Sequence, residues 1–170
     1  MGGRGTIAAA VKRATFTTMT TAPPPTPFLH LVVGYDGSPP ATRALDAAVL
    51  LLQGRTGRLE VVYVTHLSGV VVEAPVAPPE MEPGFDEIEQ ELRGLATSQL
   101  SDSGATWAFV RRVGNIIEEL SALATDIRDA NPSEIVMIVV GSSSSPIHRV
   151  AGSVAVGLGR HPHVPLLIVP

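Results

Sequence analysis

The run from Glu134 to Val140, EIVMIVV, contains no polar residue after its first position. A strand facing water on one side alternates polar and apolar residues, so an unbroken, largely β-branched run fits a strand covered on both faces. Such strands belong to parallel sheets, whose crossover connections lay helices over each face. The chain supplies further strands of this kind. Leu29 to Gly34, LHLVVG, and Leu59 to Thr65, LEVVYVT, are short apolar runs rich in β-branched residues. Thr106 to Val113, TWAFVRRV, reads as a third strand, and its paired Arg111 and Arg112 point to a sheet edge, where charge blocks unwanted pairing. Pro162 to Pro170, containing VPLLIV, reads as the fifth.

Between these runs the apolar residues recur at helical spacing. After Tyr35-Asp36-Gly37-Ser38, Ser38 suits an N-cap and Pro39 the first turn, while Ala41, Ala44, Leu45, Ala48, Val49 and Leu52 share one face up to Gly54. Phe85, Ile88, Leu92, Leu95, Ala96 and Leu100 predict a second helix from Gly84 to about Asp102, with Glu87, Glu91 and Arg93 on the opposite side. The acids from Glu80 to Glu91 surround its start and are expected to form a solvated face that complements the helix dipole. A third helix follows Gly114-Asn115, where Asn115 and Glu118 have capping-box spacing and Ile116, Leu120, Leu123, Ala124 and Ile127 supply the buried face. Ile147 to about Gly159 predicts the last helix. Strands alternating with helices in this way define an α/β, doubly wound, five-stranded parallel sheet with right-handed crossovers. Strands 1 and 4 are expected side by side at its topological switch point.

With 170 residues and 45% hydrophobic content, the chain can bury one core and is too short for two comfortable domains. Residues 1–28 mix Gly, Thr, Ala and Pro without periodicity and end in PPPTP, so a disordered tail is expected there and the domain over 29–170. Met19 is an alternative start within that tail. His66 to Pro83 holds four prolines and is expected to be a long surface connection. The absence of cysteine excludes disulfides, thiolate metal sites and cysteine nucleophiles. All charges in residues 1–28 (Arg4, Lys12, Arg13) are basic, so the body is more acidic than the net charge of −4 suggests. A nucleic-acid partner needs clustered Lys or Arg and is not expected. No apolar run approaches the roughly 20 residues of a membrane helix, so no membrane association is expected and the cytoplasm is the expected location. The apolar last strand, uncovered at a sheet edge, predicts a homodimer.

The candidate chemistry follows the EIVMIVV strand. Gly141 ends it, Ser142, Ser143, Ser144 and Ser145 follow, and Gly152-Ser153 repeats the small donor pattern inside the last helix. Backbone N–H groups leaving a buried strand, small hydroxyls and the positive end of a helix dipole together suit an anion. This pattern is not the P-loop G-x-x-x-x-G-K-[ST]. Asp36 stands at the carboxyl end of strand 1, where α/β proteins bind ligands. Other readings carry less weight. His161 and His163 lack nearby thiols or acids, so no metal site is expected there. A Ser144, His148 and Asp36 hydrolase triad lacks the G-x-S-x-G elbow, so no catalytic residue is assigned.

Taken together, VGYDGSPPATRAL, LEVVYVTH, the GNIIEEL helix start and VVGSSSSPIHRVAGSVAVGLGRHPHVPLLIVP resemble the universal stress protein family over about residues 29–170. The resemblance implies a sheet in the order 3-2-1-4-5, dimers through the last strand, and in many members bound ATP, with Mg2+ where a triphosphate is held. It implies no known reaction. No carboxylate lies between Gly141 and Pro170 to serve a hydrolytic step, so at most slow ATP hydrolysis is expected. Carried over, Asp36 contacts the adenosine, the backbone of Val64 meets the adenine edge, and Gly141, Ser142 and Ser144 lie against the ribose and phosphates. Gly152, Ser153 and Val154 complete the phosphate grip. Nucleotide-binding members carry G-x-x-G, nine residues, then G-[ST]; here Ser144 replaces the second glycine and Gly152 follows after seven. His148 and Arg149 lie inside that shortened segment as further phosphate donors. The function expected is a regulatory module binding an adenine nucleotide. Its alternatives are a nucleotide-independent dimeric interaction module, a weak ATP hydrolase, or a binder of another adenylated ligand.

Overall fold

The computed structural model describes residues 27–65, 83–142 and 149–170, with the side chains of 83–85 and 149–153 outside that description. The expectations for the tail up to residue 26 and for the connection 66–82 lie outside it. In chain order the elements are β1 (Leu29–Gly34), α1 (Pro39–Leu52), β2 (Gly57–Thr65), α2 (Pro83–Leu100), β3 (Trp107–Val113), α3 (Ile116–Ala130), β4 (Ile135–Gly141), α4 (Arg149–Arg160) and β5 (Leu166–Val169). The strands form one sheet in the order β3-β2-β1-β4-β5, every neighbouring pair parallel.

Burial follows the apolar runs that predicted the strands. Consecutive residues of β1 point to opposite faces, yet Leu31, Val32 and Val33 are all fully buried, which only a sheet covered on both sides allows. Leu31, Val33, Leu59, Val61 and Val139 pack against α1 and α2, while Val32, Val62, Val136, Ile138 and Val140 pack against α3 and α4. Helix α1 is capped as its sequence demands: Ser38 accepts from the backbone N–H of Ala41, and Ala41, Ala44, Leu45, Ala48 and Leu52 are buried. Asn115 caps α3 by accepting from the N–H groups of Ile117 and Glu118. The stripe predicted for α2 is wider than its contact. Leu92, Ala96 and Leu100 are buried, whereas Ile88 and Leu95 are close to half exposed.

β5 is shorter than Pro162 to Pro170. Proline lacks an N–H to give a ladder, and Pro162 and Pro165 interrupt the segment, so pairing begins at Leu166 opposite Ile138 and ends at Val169 opposite Gly141. β3 lies at the other edge, as its arginines suggested, but both reach helices. Arg111 pairs with Asp86 and Glu89 of α2, and Arg112 with Glu119 of α3. Part of the acidic run at the start of α2 therefore neutralises an arginine on the sheet.

At the amino end of the strands is a cluster that no motif announced. His30 is buried on β1 with Nε2 at 3.2 Å from Glu60 of β2 and Nδ1 at 3.1 Å from Glu134, just ahead of β4. Arg58 approaches Glu60 at 2.7 Å. The group ties three central strands together at the end opposite the candidate site. Among the described residues, no helix is long and apolar enough to cross a membrane.

Candidate functional site

The strand order reverses between β1 and β4, which pair directly. Connections from these two strands leave in opposite directions and open a crevice at their carboxyl ends. The turn after β1 is built tightly. Asp36 Oδ1 accepts from the N–H of Ser38 at 3.0 Å, and Gly37 follows with φ +75°, a conformation that L side chains rarely adopt. A Cβ at Gly37 would also lie 2.7 Å from Leu92, so α2 packs directly beneath the turn. Asp36 is exposed above it, and its carboxylate retains capacity for donors beyond Ser38.

Gly141 meets this turn from β4. A Cβ there would lie 2.2 Å from the carbonyl oxygen of Pro40 and 2.3 Å from its carbonyl carbon. The end of β4 thus abuts the first turn of α1, and only the missing side chain lets it do so. β1 and β4 pair as expected, and the end of β4 stands against the helix that the Asp36 turn leads into. Ser142 continues the sheet: its N–H donates to Val169 O at 2.7 Å and is thereby occupied.

Val64 borders the crevice from β2. Tyr35 N–H donates to Val62 O at 2.8 Å, and alternate residues of a strand direct their backbone groups to the same side. The N–H and C=O of Val64 therefore face the point where β1 has already turned away at Asp36. Its side chain packs with the α3 and α4 core. Thr65 faces the opposite way and is occupied, accepting from Gly114 N–H at 2.9 Å and donating through its hydroxyl to Arg112 O at 3.2 Å.

Behind the crevice, Tyr35 is buried among α1 residues. Burial pushes its phenol above the ordinary value; a hydrogen bond with Thr42 opposes that rise, and the Asp36 and Asp46 carboxylates add to it. Gly152 and Ser153 belong to α4, and Val154 packs against the α3 side of the core. The side chains of Arg149 and Ser153, and all of Ser143, Ser144, Ser145 and His148, lie outside the described residues. The structure thus brings Asp36, Val64, Gly141 and Ser142 to one end of the sheet. It also adds two side chains, Arg112, read from the sequence as an edge charge and now beside Val64, and Glu119, which the sequence did not single out and which pairs with Arg112.

A parallel sheet in this order with helices on both faces defines a doubly wound α/β fold. The universal stress protein family matches residues 27–170. The chain belongs to that family. Among solved structures, a universal stress protein in complex with cAMP superposes with a TM-score of 0.62 at 22% identity, covering 84% of this chain and 97% of its own. A universal stress protein from Archaeoglobus fulgidus in complex with dAMP gives 0.57 at 18% identity, covering 84% and 98%. A family member from Burkholderia pseudomallei gives 0.56 at 26% identity, covering 83% and 95%. No curated protein sequence matches the chain.

Proposed function

We propose that this protein is a regulatory module that binds an adenine nucleotide, with ATP as the ligand, in the crevice between the β1 and β4 connections. The observation that carries the reading is the contact of the first turn of α1, which the Asp36 turn leads into, with the end of β4 at Gly141, at the same end of the sheet as the backbone groups of Val64. Two relatives of the same fold were solved with cAMP and with dAMP, so this architecture accommodates adenine nucleotides. The residues present suit such a ligand. Asp36 accepts from ribose hydroxyls, the N–H and C=O of Val64 match the alternating acceptor and donor of an adenine edge, and the helix following Gly141 favours phosphate. Ser142, Ser144, Gly152, Ser153 and the backbone at Val154 are the assigned phosphate contacts, with His148 and Arg149 as cationic donors. A triphosphate brings Mg2+ bound to its own oxygens.

The domain in this reading spans 29–170, works in the cytoplasm, and dimerises through β5. That strand has one neighbour, β4, and Ile168 on it and Val156 on α4 are exposed. Ser144 and the shortened spacing to Gly152 favour a second reading, a dimeric interaction module that needs no nucleotide. Acid extraction of the purified protein followed by mass spectrometry, with calorimetry against ATP and AMP, separates the two. Recovered or titrated adenine nucleotide supports the first reading; binding of neither compound refutes it.

A further inference from the structure

The nucleotide reading leaves the base end of the crevice bounded by backbone alone, yet a charged pair stands there. Arg112 is the in-register neighbour of Val64 across the β2–β3 ladder. Adjacent strands lie about 4.8 Å apart, and paired residues of parallel strands project to the same face. Val64 and Val110 pack with α3 and α4, so Arg112, two residues beyond Val110, rises on that face at the carboxyl end of the sheet. Its ion pair with Glu119 of α3, at 3.7 Å, fixes the direction. Arg111 points the other way, to Asp86 and Glu89 of α2. Gly114 sets the position of Glu119: a Cβ there would lie 2.9 Å from Glu119 Oε1, so the carboxylate rests over the β3–α3 turn. Arg112 is 33% and Glu119 26% exposed, so both are anchored and both are reachable.

Strand order decides which part of a ligand this pair meets. The phosphate donors follow β4, three strands from β3, or about 14 Å at that spacing. β2, whose backbone receives the base edge, is next to β3. We propose that Arg112, positioned by Glu119, is a base-recognition residue of this site, its guanidinium stacking on or donating to the purine ring while Glu119 accepts from the exocyclic amine. A planar guanidinium does both, since it stacks on π faces and carries donors for ring nitrogens. This inference rests on the nucleotide reading.

The test is calorimetry of the full chain with AMP and with ATP, for wild type, Arg112→Ala and Arg112→Lys. A base contact is common to both ligands, so Arg112→Ala is expected to weaken AMP and ATP by the same factor, about three- to thirty-fold. Arg112→Lys, which keeps the charge but not the plane, is expected to restore less than half of the loss on a logarithmic scale. A larger loss for ATP than for AMP, with rescue by lysine, would make Arg112 a phosphate-side charge and overturn the proposal. Unchanged affinity in a folded Arg112→Ala protein overturns it as well. Wild-type protein that binds neither ligand refutes the nucleotide reading itself.

Discussion

Gly141 is a position where the structure demands glycine whatever the ligand, and replacing it with alanine puts a number on that demand. The added Cβ would sit 2.2 Å from Pro40 O, against the first turn of a capped helix rather than a flexible side-chain end. Ordinary van der Waals contact needs well over 3 Å, so α1 and β4 must separate by about 1 Å, or the strand end must twist out of its ladder with Val169. Overpacking of this kind costs about 1–3 kcal/mol. For a domain of this size each kcal/mol lowers Tm by roughly 2–4 °C, so Gly141→Ala is expected to melt about 2–12 °C below wild type. Gly94→Ala is the control. No atom lies within 4 Å of a Cβ built there, and alanine in a helix interior gains about 0.5–1 kcal/mol over glycine, so that variant is expected to melt slightly higher. Scanning calorimetry decides. A Gly141→Ala protein as stable as wild type would show that α1 and β4 do not meet as closely as described.

Three further outcomes follow from other contacts. His30→Leu leaves the buried Glu60 and the nearby Glu134 without their imidazole neighbour and is expected to cost about 1–3 kcal/mol in urea denaturation, whereas loss of less than half a kcal/mol would mean that the cluster contributes nothing. Tyr35 is expected to make the protein alkali-sensitive. Its phenol is held above the ordinary value of 10.0, so stability is full below that pH; above it the unfolded chain ionises first, and stability falls until the folded group ionises too. Tyr35→Phe is expected to flatten that fall, and an unchanged alkaline slope would contradict it. If the dimer forms through β5, Ile168→Glu, at an exposed position on that edge, is expected to give a folded monomer by light scattering, and a dimer of undiminished stability would exclude this interface.

The order of elements was legible because each strand is an unbroken apolar run and each helix a stripe at helical spacing. The runs LHLVVG and EIVMIVV also placed β1 and β4 near the sheet centre, and with them Gly141 at the start of the helix that follows the Asp36 turn. What escaped was anything that depends on facing across strands. His30, Glu60 and Glu134 each interrupt or precede an apolar run, and only the order β2-β1-β4 lines them up. Arg111 and Arg112 read as edge charges because propensity sees neighbours in sequence. Alternation along β3 sends them to opposite faces, one to α2 and the other to α3. Leu95 escaped for a related reason: its spacing matches the buried stripe of α2, but it lies beside the Gly37 turn at the rim, where half of it meets water.

Asp36 has two roles in the structure and the proposal, and a pair of substitutions separates them. One carboxylate oxygen accepts from Ser38 N–H and holds the turn into α1; the second is the proposed acceptor for ribose hydroxyls. Asparagine keeps an oxygen for Ser38 but offers an NH2 group in place of the second acceptor. It also removes a negative charge just ahead of a helix N-terminus, which costs about 0.3–1 kcal/mol. Alanine removes everything. Asp36→Asn is therefore expected to remain within about 1 kcal/mol of wild-type stability while weakening AMP and ATP about 10- to 150-fold, the equivalent of a hydrogen bond to a charged group. Asp36→Ala is expected to match that loss of affinity and to lose further stability as the turn loosens. The comparison is informative because the two effects move independently. A protein in which Asp36→Asn binds as tightly as wild type would assign Asp36 to the turn alone and leave the ribose without the acceptor this site requires.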